Sequence, residues 1–208
     1  MKILDFPNAR QTFDYDCGAK AIHAVLSYYG IDTNENKILR IAKTTPQLGT
    51  PVHGMIRVAE HFKLKAKLEK LSITKLEKYI LKGTPVILLL QAWGSKGKKL
   101  KYDWKDGHYV VAIGFDKERI YLEDPSTILR SYLSYHDLEE RWHDMDKRKK
   151  YFNTAIVVSG PKKDFSSVLK TYVSYQEQEE RWHQIDCTGK KHLKTEILIS
   201  GNKKKISH

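Results

Sequence analysis

The clearest pattern of apolar and polar positions lies near the start of the chain, over residues 17–30. Five apolar residues recur there at helical spacing and share one face: Ala21, Ile22, Val25, Leu26 and Tyr29. Asp14 and Asp16 come just before, where acidic and capping residues are favoured, and Gly30 is a typical helix stop. The pattern predicts an amphipathic helix that begins at Cys17.

The same spacing, together with boundary residues, predicts four further helices. They cover residues 33–43, 51–62, 74–82 and 134–142. Pro51 is expected at the first helical position of the second of these, and Gly83 is expected to end the third.

Other segments have the patterns of strands. Residues 85–92 are mostly a continuous apolar run, which predicts a strand buried on both faces. Residues 64–71 alternate lysine with apolar residues, as an exposed strand does. Residues 108–116 and 120–124 are strands separated by a short turn, and residues 154–159 form a closing strand. Strands joined by so short a turn must pair antiparallel.

This predicted hairpin places two polar residues side by side. His108 begins its first strand and Asp124 ends its second, so the open ends of the hairpin bring them together. A histidine and an aspartate at such positions can share a hydrogen bond.

Four residues, in the chain order Gln11, Cys17, His108 and Asp124, suit nucleophilic catalysis by cysteine. A thiol at a helix N-terminus ionises more easily, and the thiolate is the nucleophile. His108 would hold the proton as an imidazolium, and Asp124 would fix its tautomer. Gln11 and the Cys17 N–H would stabilise the developing oxyanion. The alternatives are an inert, buried cysteine and a histidine satisfied within the core.

These residues lie in motifs that resemble the C39 peptidases, over roughly residues 8–160. The motifs are Asp-Cys-Gly-Ala with a glutamine six residues before its cysteine, then Tyr-Tyr-Gly, Gly-His-Tyr-Val-Val and Glu-Asp-Pro-Ser. The resemblance implies an α+β fold of the papain-like cysteine peptidase type, with N-terminal helices packed on an antiparallel sheet. The family's oxyanion glutamine, nucleophile, histidine and aspartate fall on Gln11, Cys17, His108 and Asp124.

The resemblance also implies a function. C39 peptidases are often the N-terminal domains of bacteriocin ABC exporters and remove leader peptides after a double glycine. We therefore expect a cysteine peptidase with a peptide or protein substrate, an ABC exporter as a possible partner, and no cofactor. Three alternatives stay open: a C39-like binding module without proteolysis, an acyl transferase that uses the same triad, and a basic interaction protein.

The composition indicates the class of protein and the compartment in which we expect it. The 208 residues are 40% hydrophobic and 30% charged, as in an ordinary globular protein. We expect a cytoplasmic protein without a membrane span, because the sequence has neither an 18-residue apolar run nor a signal-peptide pattern. Cys17 and Cys187 make no disulfide framework, and a free thiol suits a reducing compartment.

The formal net charge is +12, and much of it is concentrated in one region. Residues 57–101 contain twelve lysines or arginines and three glutamates. Such a surplus attracts acidic peptides, anionic lipids or nucleic acids, or simply keeps a surface solvated. We do not expect nucleic-acid binding, because no zinc-finger spacing or RNA-binding motif accompanies the charge.

The end of the chain repeats an earlier part. Residues 124–146 match residues 164–186 at 12 of 23 positions. We therefore predict a peptidase domain over residues 1–160 and an extension over residues 161–208 that partly duplicates residues 124–160. Asp164 aligns with Asp124, but no equivalent of His108 precedes it, so we interpret Asp164 as vestigial.

Three aromatic residues have no assigned role at this point. Trp93 and Trp104 flank the loop before His108, and they could line a narrow groove for glycines or anchor that loop. His143 follows the predicted helix 134–142 and, although metal binding is conceivable, we interpret it as an ordinary surface residue.

Overall fold

The fold consists of one large, mainly antiparallel sheet, packed against short helices. In this computed structural model the described residues are 1–92, 100–127, 129–146 and 149–162, with the backbone alone of residues 182–184. The helices are α1 (Cys17–Tyr28), α2 (Glu35–Ala42), α3 (Val52–His61), α4 (Ile73–Leu81) and α5 (Tyr135–Arg141), with one 3-10 turn at Leu100–Tyr102.

Ten short strands complete the described structure. They are β1 (Lys2–Ile3), β2 (Lys65–Lys70), β3 (Val86–Gln91), β4 (Gly107–Phe115), β5 (Arg119–Glu123), β6 (Arg130–Ser134), β7 (His143–Asp146), β8 (Lys149–Phe152), β9 (Thr154–Ser159) and β10 (Trp182–Gln184). The main sheet has the order β10-β6-β5-β4-β3-β9-β2, and β1 pairs with β4. Strands β7 and β8 form a separate hairpin.

All five predicted helices are present, and local capping explains where several begin. The side chain of Asn34 accepts a hydrogen bond from the Lys37 N–H at the start of α2. Ser72 does the same for Lys75 at α4, and Ser134 caps α5. Pro51 lies at the N-cap of α3, one residue before the position expected for it.

The predicted strands are also confirmed, and the sheet explains their patterns. Every residue of β3 is buried, because β3 lies between β4 and β9 in a sheet covered on both faces. Strand β2 is the outermost strand at one edge of the described sheet, and exposed and half-buried residues alternate from Lys65 to Leu68 because successive side chains point to opposite faces. Its lysines Lys65, Lys67 and Lys70 are exposed.

The sequence pattern missed β1, β6 and the β7–β8 hairpin. Strand β6 is five residues long with only two fully buried positions, so its apolar signal is weak. Strand β7 reads His-Asp-Met-Asp, which has no strand-like hydrophobic pattern, yet His143 and Asp144 are buried in it. Buried polar groups need hydrogen-bond partners, here the Asp103 carbonyl for His143 and Gln91 for Asp144, and a sequence does not reveal such pairing.

The extension lies mostly outside the described residues, including Asp164 and Cys187. Its one described strand, β10, pairs in parallel with β6, so Trp182 lies opposite Arg130. The division into residues 1–160 and 161–208 stays a prediction. Among the described helices, none has the length and apolar character needed to cross a membrane.

The centre of the sheet should carry much of the stability. Leu88 in β3 is fully buried, whereas Leu81 at the end of α4 is 59% exposed. We expect Leu88→Ala to lower the free energy of unfolding by about 2–5 kcal/mol, since it leaves a cavity in the core. Leu81→Ala should change it by about 0.5 kcal/mol or less. Urea unfolding followed by circular dichroism compares the two, and equal losses would show that β3 is not central.

Candidate active site

The β4–β5 hairpin brings His108 and Asp124 together at one end of the sheet. Strands β4 and β5 pair antiparallel, with Val111 opposite Glu123. The Nε2 atom of His108 lies 2.7 Å from Oδ1 of Asp124. Both side chains are almost inaccessible to solvent, with His108 4% and Asp124 1% exposed. The expectation that these two residues are neighbours is confirmed.

Asp124 is held in its ionised form by its surroundings. Its Oδ1 atom accepts hydrogen bonds from the backbone N–H and the hydroxyl of Ser126, each at 2.8 Å. Burial alone would raise the pKa of this carboxyl. The charge of His108 and the hydrogen bonds from His108 and Ser126 outweigh that effect and lower it.

The same interactions keep a proton on His108. Burial opposes a charged imidazole, but the Asp124 carboxylate and its hydrogen bond, followed by a hydrogen bond with Cys17, raise the pKa of His108 to about 10. Because Nε2 faces Asp124, the other ring nitrogen, Nδ1, is the one available to Cys17. The imidazolium therefore bridges the thiol and the carboxylate.

Cys17 is the first residue of α1 and is partly exposed. A Cβ atom at the next residue, Gly18, would lie 2.8 Å from the side chain of Thr50 and 2.9 Å from the ring of Tyr109. Only glycine leaves room for α1 to approach these neighbours so closely. Thr50 also accepts a hydrogen bond from the Ala19 N–H at 3.1 Å, which satisfies one of the free donors of the helix terminus.

The loop that precedes Cys17 is shaped by Asp16. We expected Asp16 to cap α1, but its side chain makes no capping hydrogen bond. Its two carboxylate oxygens instead accept from the backbone N–H groups of Thr12 and Phe13, at 3.2 and 3.3 Å. Burial, followed by a hydrogen bond with Glu35, raises the pKa of this fully buried carboxyl. Asp16 thus fixes the loop between Gln11 and Cys17.

Gln11 is tied to the opposite side of the site. Its backbone N–H donates to the carbonyl of Pro125 at 2.9 Å, directly after Asp124. Its side-chain oxygen is buried and has no hydrogen-bond partner within the described part of the chain. The structure therefore anchors Gln11 beside Asp124 and joins it to Cys17 through the loop that Asp16 closes.

Sequence reasoning missed the acidic residue behind this segment. Glu123, fully buried at the end of β5, accepts from the Ala9 N–H at 3.0 Å and forms an ion pair with Arg10 at 2.6 Å. Arg130 lies 3.7 Å from its other oxygen. This cluster holds the residues before Gln11 on the sheet. The only signal for it was a glutamate at an apolar strand position.

Trp104 anchors the loop before His108. Its ring packs on His143 and on Phe152, with centroid distances of 4.6 and 5.2 Å. His143 is buried rather than a surface residue, and one of its ring nitrogens lies 2.7 Å from the carbonyl of Asp103. No group of three potential metal ligands occurs among the residues that the structure describes. Trp93 lies outside the described residues.

Comparison with known proteins identifies relatives of this chain. The sequence signature of the Peptidase C39 family matches residues 5–145. The pediocin PA-1 transport/processing ATP-binding protein PedD of Pediococcus acidilactici is 27% identical over 133 residues, which are 64% of this chain and 17% of PedD. The transport/processing ATP-binding protein ComA of Streptococcus pneumoniae is 29% identical over the same shares. This chain thus spans under a fifth of the length of these relatives.

Solved structures show the same fold. A C39-like peptidase of Bacillus anthracis superposes with a TM-score of 0.60 at 18% identity, covering 78% of this chain and all of that one. A double glycine motif protease from an AMS/PCAT transporter, in complex with the leader peptide, gives a TM-score of 0.57 at 17% identity over 76% of this chain and 93% of that one. The predicted fold class, helices on an antiparallel sheet of the C39 peptidase type, is confirmed.

Replacing Asp124 should release the proton of His108 at a lower pH. In Asp124→Asn the burial of His108 remains but the negative charge is lost, so its pKa should fall by several units, to or below the ordinary value of about 6.5. Titration of the labelled imidazole by NMR measures this directly. Asp116→Asn, at the turn end of the same hairpin, is the matched control and should leave His108 unchanged. Equal titrations in the wild type and Asp124→Asn would contradict the assigned pair.

Proposed function

The chain belongs to the C39 peptidase family, and from that premise we propose that it hydrolyses a peptide bond with Cys17 as nucleophile. The observation that carries the proposal is the buried His108–Asp124 pair in contact with Cys17 at the start of α1. A pure binding module has no need for an imidazolium held beside a thiol.

The first half of the reaction would form an acyl-enzyme. The Cys17 thiolate attacks the carbonyl carbon of the scissile bond, and its sulfur forms a bond as the carbonyl oxygen takes up the negative charge. As the C–N bond breaks, Nδ1 of His108 gives its proton to the leaving amine. The products are a thioester on Cys17 and the free amine fragment.

The second half would regenerate the thiolate. Neutral His108 takes a proton from water, and the resulting hydroxide equivalent attacks the thioester carbonyl. The C–S bond breaks, the second fragment leaves as a carboxylic acid, and Cys17 returns to its pair with the imidazolium. Asp124 stays ionised throughout and keeps Nε2 of His108 protonated.

Two donors would stabilise the oxyanion in both halves. One is the backbone N–H of Cys17, at the positive end of α1. The other is the side-chain amide of Gln11, whose loop is fixed by Asp16 on one side and by Pro125 on the other. Because these anchors exist before substrate binds, the donors need little reorganisation during the reaction.

The family relationship supports a particular substrate. We propose cleavage after small residues in a double-glycine leader, since one fold relative was solved as a double glycine motif protease in complex with the leader peptide. An ABC exporter is the proposed partner, because the curated relatives are transport/processing ATP-binding proteins. A cytoplasmic location suits the nucleophilic thiol, which needs a reducing compartment.

Removal of the proposed oxyanion donor should slow cleavage without abolishing it. Gln11→Ala should lower kcat on the order of 100-fold with a smaller effect on KM, because the donor acts mainly in the transition state. Gln47→Ala removes an exposed glutamine and serves as the matched control. Cys17→Ala should abolish cleavage altogether. Cleavage of a leader-containing peptide, followed by mass spectrometry, gives all three rates, and an active Cys17→Ala protein would refute the mechanism.

The leader specificity is testable with a pair of peptides that differ at one dipeptide. A peptide with Gly-Gly before the cleavage site should be cut with a kcat/KM about 100-fold higher than one with Val-Val, because a site that fits glycine excludes the larger side chain of valine. Reaction in H2-18O should label the new carboxyl group, which distinguishes hydrolysis from transfer to an amine. Equal rates for both peptides would reject the specificity while leaving peptidase activity intact.

A further inference from the structure

A second buried carboxyl group, Asp144, lies beside the start of the strand that carries His108. Asp144 belongs to β7 and is 6% exposed. The β7–β8 hairpin covers the end of the sheet where β3 finishes and β4 begins. The proposed mechanism assigns no role to Asp144, although burying a carboxyl group is costly.

The first contact of Asp144 is with Gly107, the residue before His108. A Cβ atom at Gly107 would lie 2.4 Å from Oδ1 of Asp144 and 2.9 Å from both Cγ and Oδ2. The backbone of Gly107 does not have a positive φ, so the requirement for glycine here is one of space. The carboxyl group of Asp144 therefore rests directly on the main chain that leads into His108.

The second contact runs through Gln91, the last residue of β3. The side-chain amide of Gln91 donates to Oδ1 of Asp144 at 3.0 Å, and its oxygen accepts from the Asp106 N–H at 3.0 Å. Gln91 is fully buried and pairs with Gly107 in the β3–β4 register. Asp144 and Gln91 together hold Asp106 and Gly107, the two residues before His108.

Asp144 also acts on His108 through its charge. Burial, and then the neighbouring Asp146 on the same strand, raise the pKa of Asp144 to about 7, while its hydrogen bonds and the positive charge of His108 oppose that rise. Two tyrosines on neighbouring strands also face Asp144. Burial, and then the charge of Asp144, raise the pKa of Tyr109 in β4, and Tyr151 of β8 lies opposite Asp144. The cations on these elements are His108 of β4, whose charge lowers the pKa of Asp144, and Lys149 and Lys150 of β8, which lie opposite Asp146 and Met145.

We propose that Asp144 is a positioning residue for His108: it packs on Gly107 and holds Gln91, and in its ionised form it adds a negative charge near the imidazolium. The inference rests on the proposed function, in which His108 is the acid and base. It adds a carboxyl group that fixes the main chain leading into His108 and that, when ionised, favours the protonated imidazole.

The internal duplication offers a comparison. Residue 184 occupies the position of Asp144 in the second copy, and it is glutamine, although the preceding five residues, Glu-Glu-Arg-Trp-His, are identical in the two copies. The second copy has no Gly-His pair before it. The first copy, which directly follows the strand with Gly107 and His108, has the carboxyl group of Asp144. The second copy, which follows no such strand directly, has the amide of Gln184 at the same position.

The test uses the full-length protein and no peptide substrate. The titration of His108 is followed by NMR in the wild type, Asp144→Asn and Asp146→Asn. Asparagine keeps the acceptor for Gln91 but removes the charge that Asp144 carries above its own pKa, so the His108 midpoint should move down, though by less than in Asp124→Asn. Asp146→Asn removes a charge from the same strand but leaves the contacts with Gly107 and Gln91, and it should shift the midpoint less. An unchanged midpoint in Asp144→Asn would overturn the electrostatic part of the proposal.

The positioning part is tested by a double-mutant cycle on Gly107 and Asp144. The readout is the rate at which iodoacetamide alkylates Cys17 at pH 6, where an ordinary thiol with a pKa of about 8.5 reacts slowly. Gly107→Ala should slow alkylation in the wild type, because its methyl group meets the carboxyl of Asp144. The same change should have little effect in Asp144→Ala, where the space is free. Equal effects in both backgrounds would refute the contact.

These readouts separate the inference from the proposed function. A protein that cuts no peptide could still show a shifted His108 midpoint together with an effect of Gly107→Ala that depends on Asp144. That result would support the positioning role and reject hydrolysis. A protein that cuts peptides but shows neither effect would reject the role of Asp144 alone.

Discussion

The buried ion pair between His108 and Asp124 is the interaction on which the site depends. Two charged groups with almost no exposure to water carry a large desolvation cost, which only close contact and further hydrogen bonds offset. Here the pair is 2.7 Å long, and Ser126 supplies two more donors to the same carboxylate oxygen. Such a pair contributes little net free energy to the stability of the fold, because desolvation offsets the attraction. Its role is to hold a charged imidazole at one place.

The rest of the molecule can be understood as the support for that pair. The hairpin β4–β5 sets the separation of the two residues, and helix α1 delivers the thiol to the imidazole. The segment before α1 is held at three points, by Glu123, by Pro125 and by Asp16. Glu123 and Pro125 lie more than a hundred residues from the segment that they hold, whereas Asp16 bonds to Thr12 and Phe13 in its own loop. The two long-range supports can form only when β5 has taken its place in the sheet.

The sequence predicted the elements that follow a regular hydrophobic period, and through them the pairing of His108 with Asp124. It could not predict the supports. Asp16 looks like a helix cap, but it turns back to the preceding loop. His143 and Asp144 look like exposed residues after a helix, yet the β7–β8 hairpin buries them. The partners of His143 and Asp144 lie 40 or more residues away in the chain, and local patterns contain no information about them. For Asp16 the partners are close in sequence, but the pattern does not show on which side of the residue they lie.

The exposed lysines of β2 account for part of the positive charge of residues 57–101, and their place in the sheet suggests a role for it. Within the described sheet β2 is the outermost strand, and such a strand presents unpaired backbone groups that could recruit a strand of another molecule. Lys65, Lys67 and Lys70 are exposed along this edge. Two copies that approached edge to edge would bring these lysines together, which disfavours strand pairing between molecules, and Glu69 offsets part of that charge by its ion pair with Lys67 at 2.9 Å.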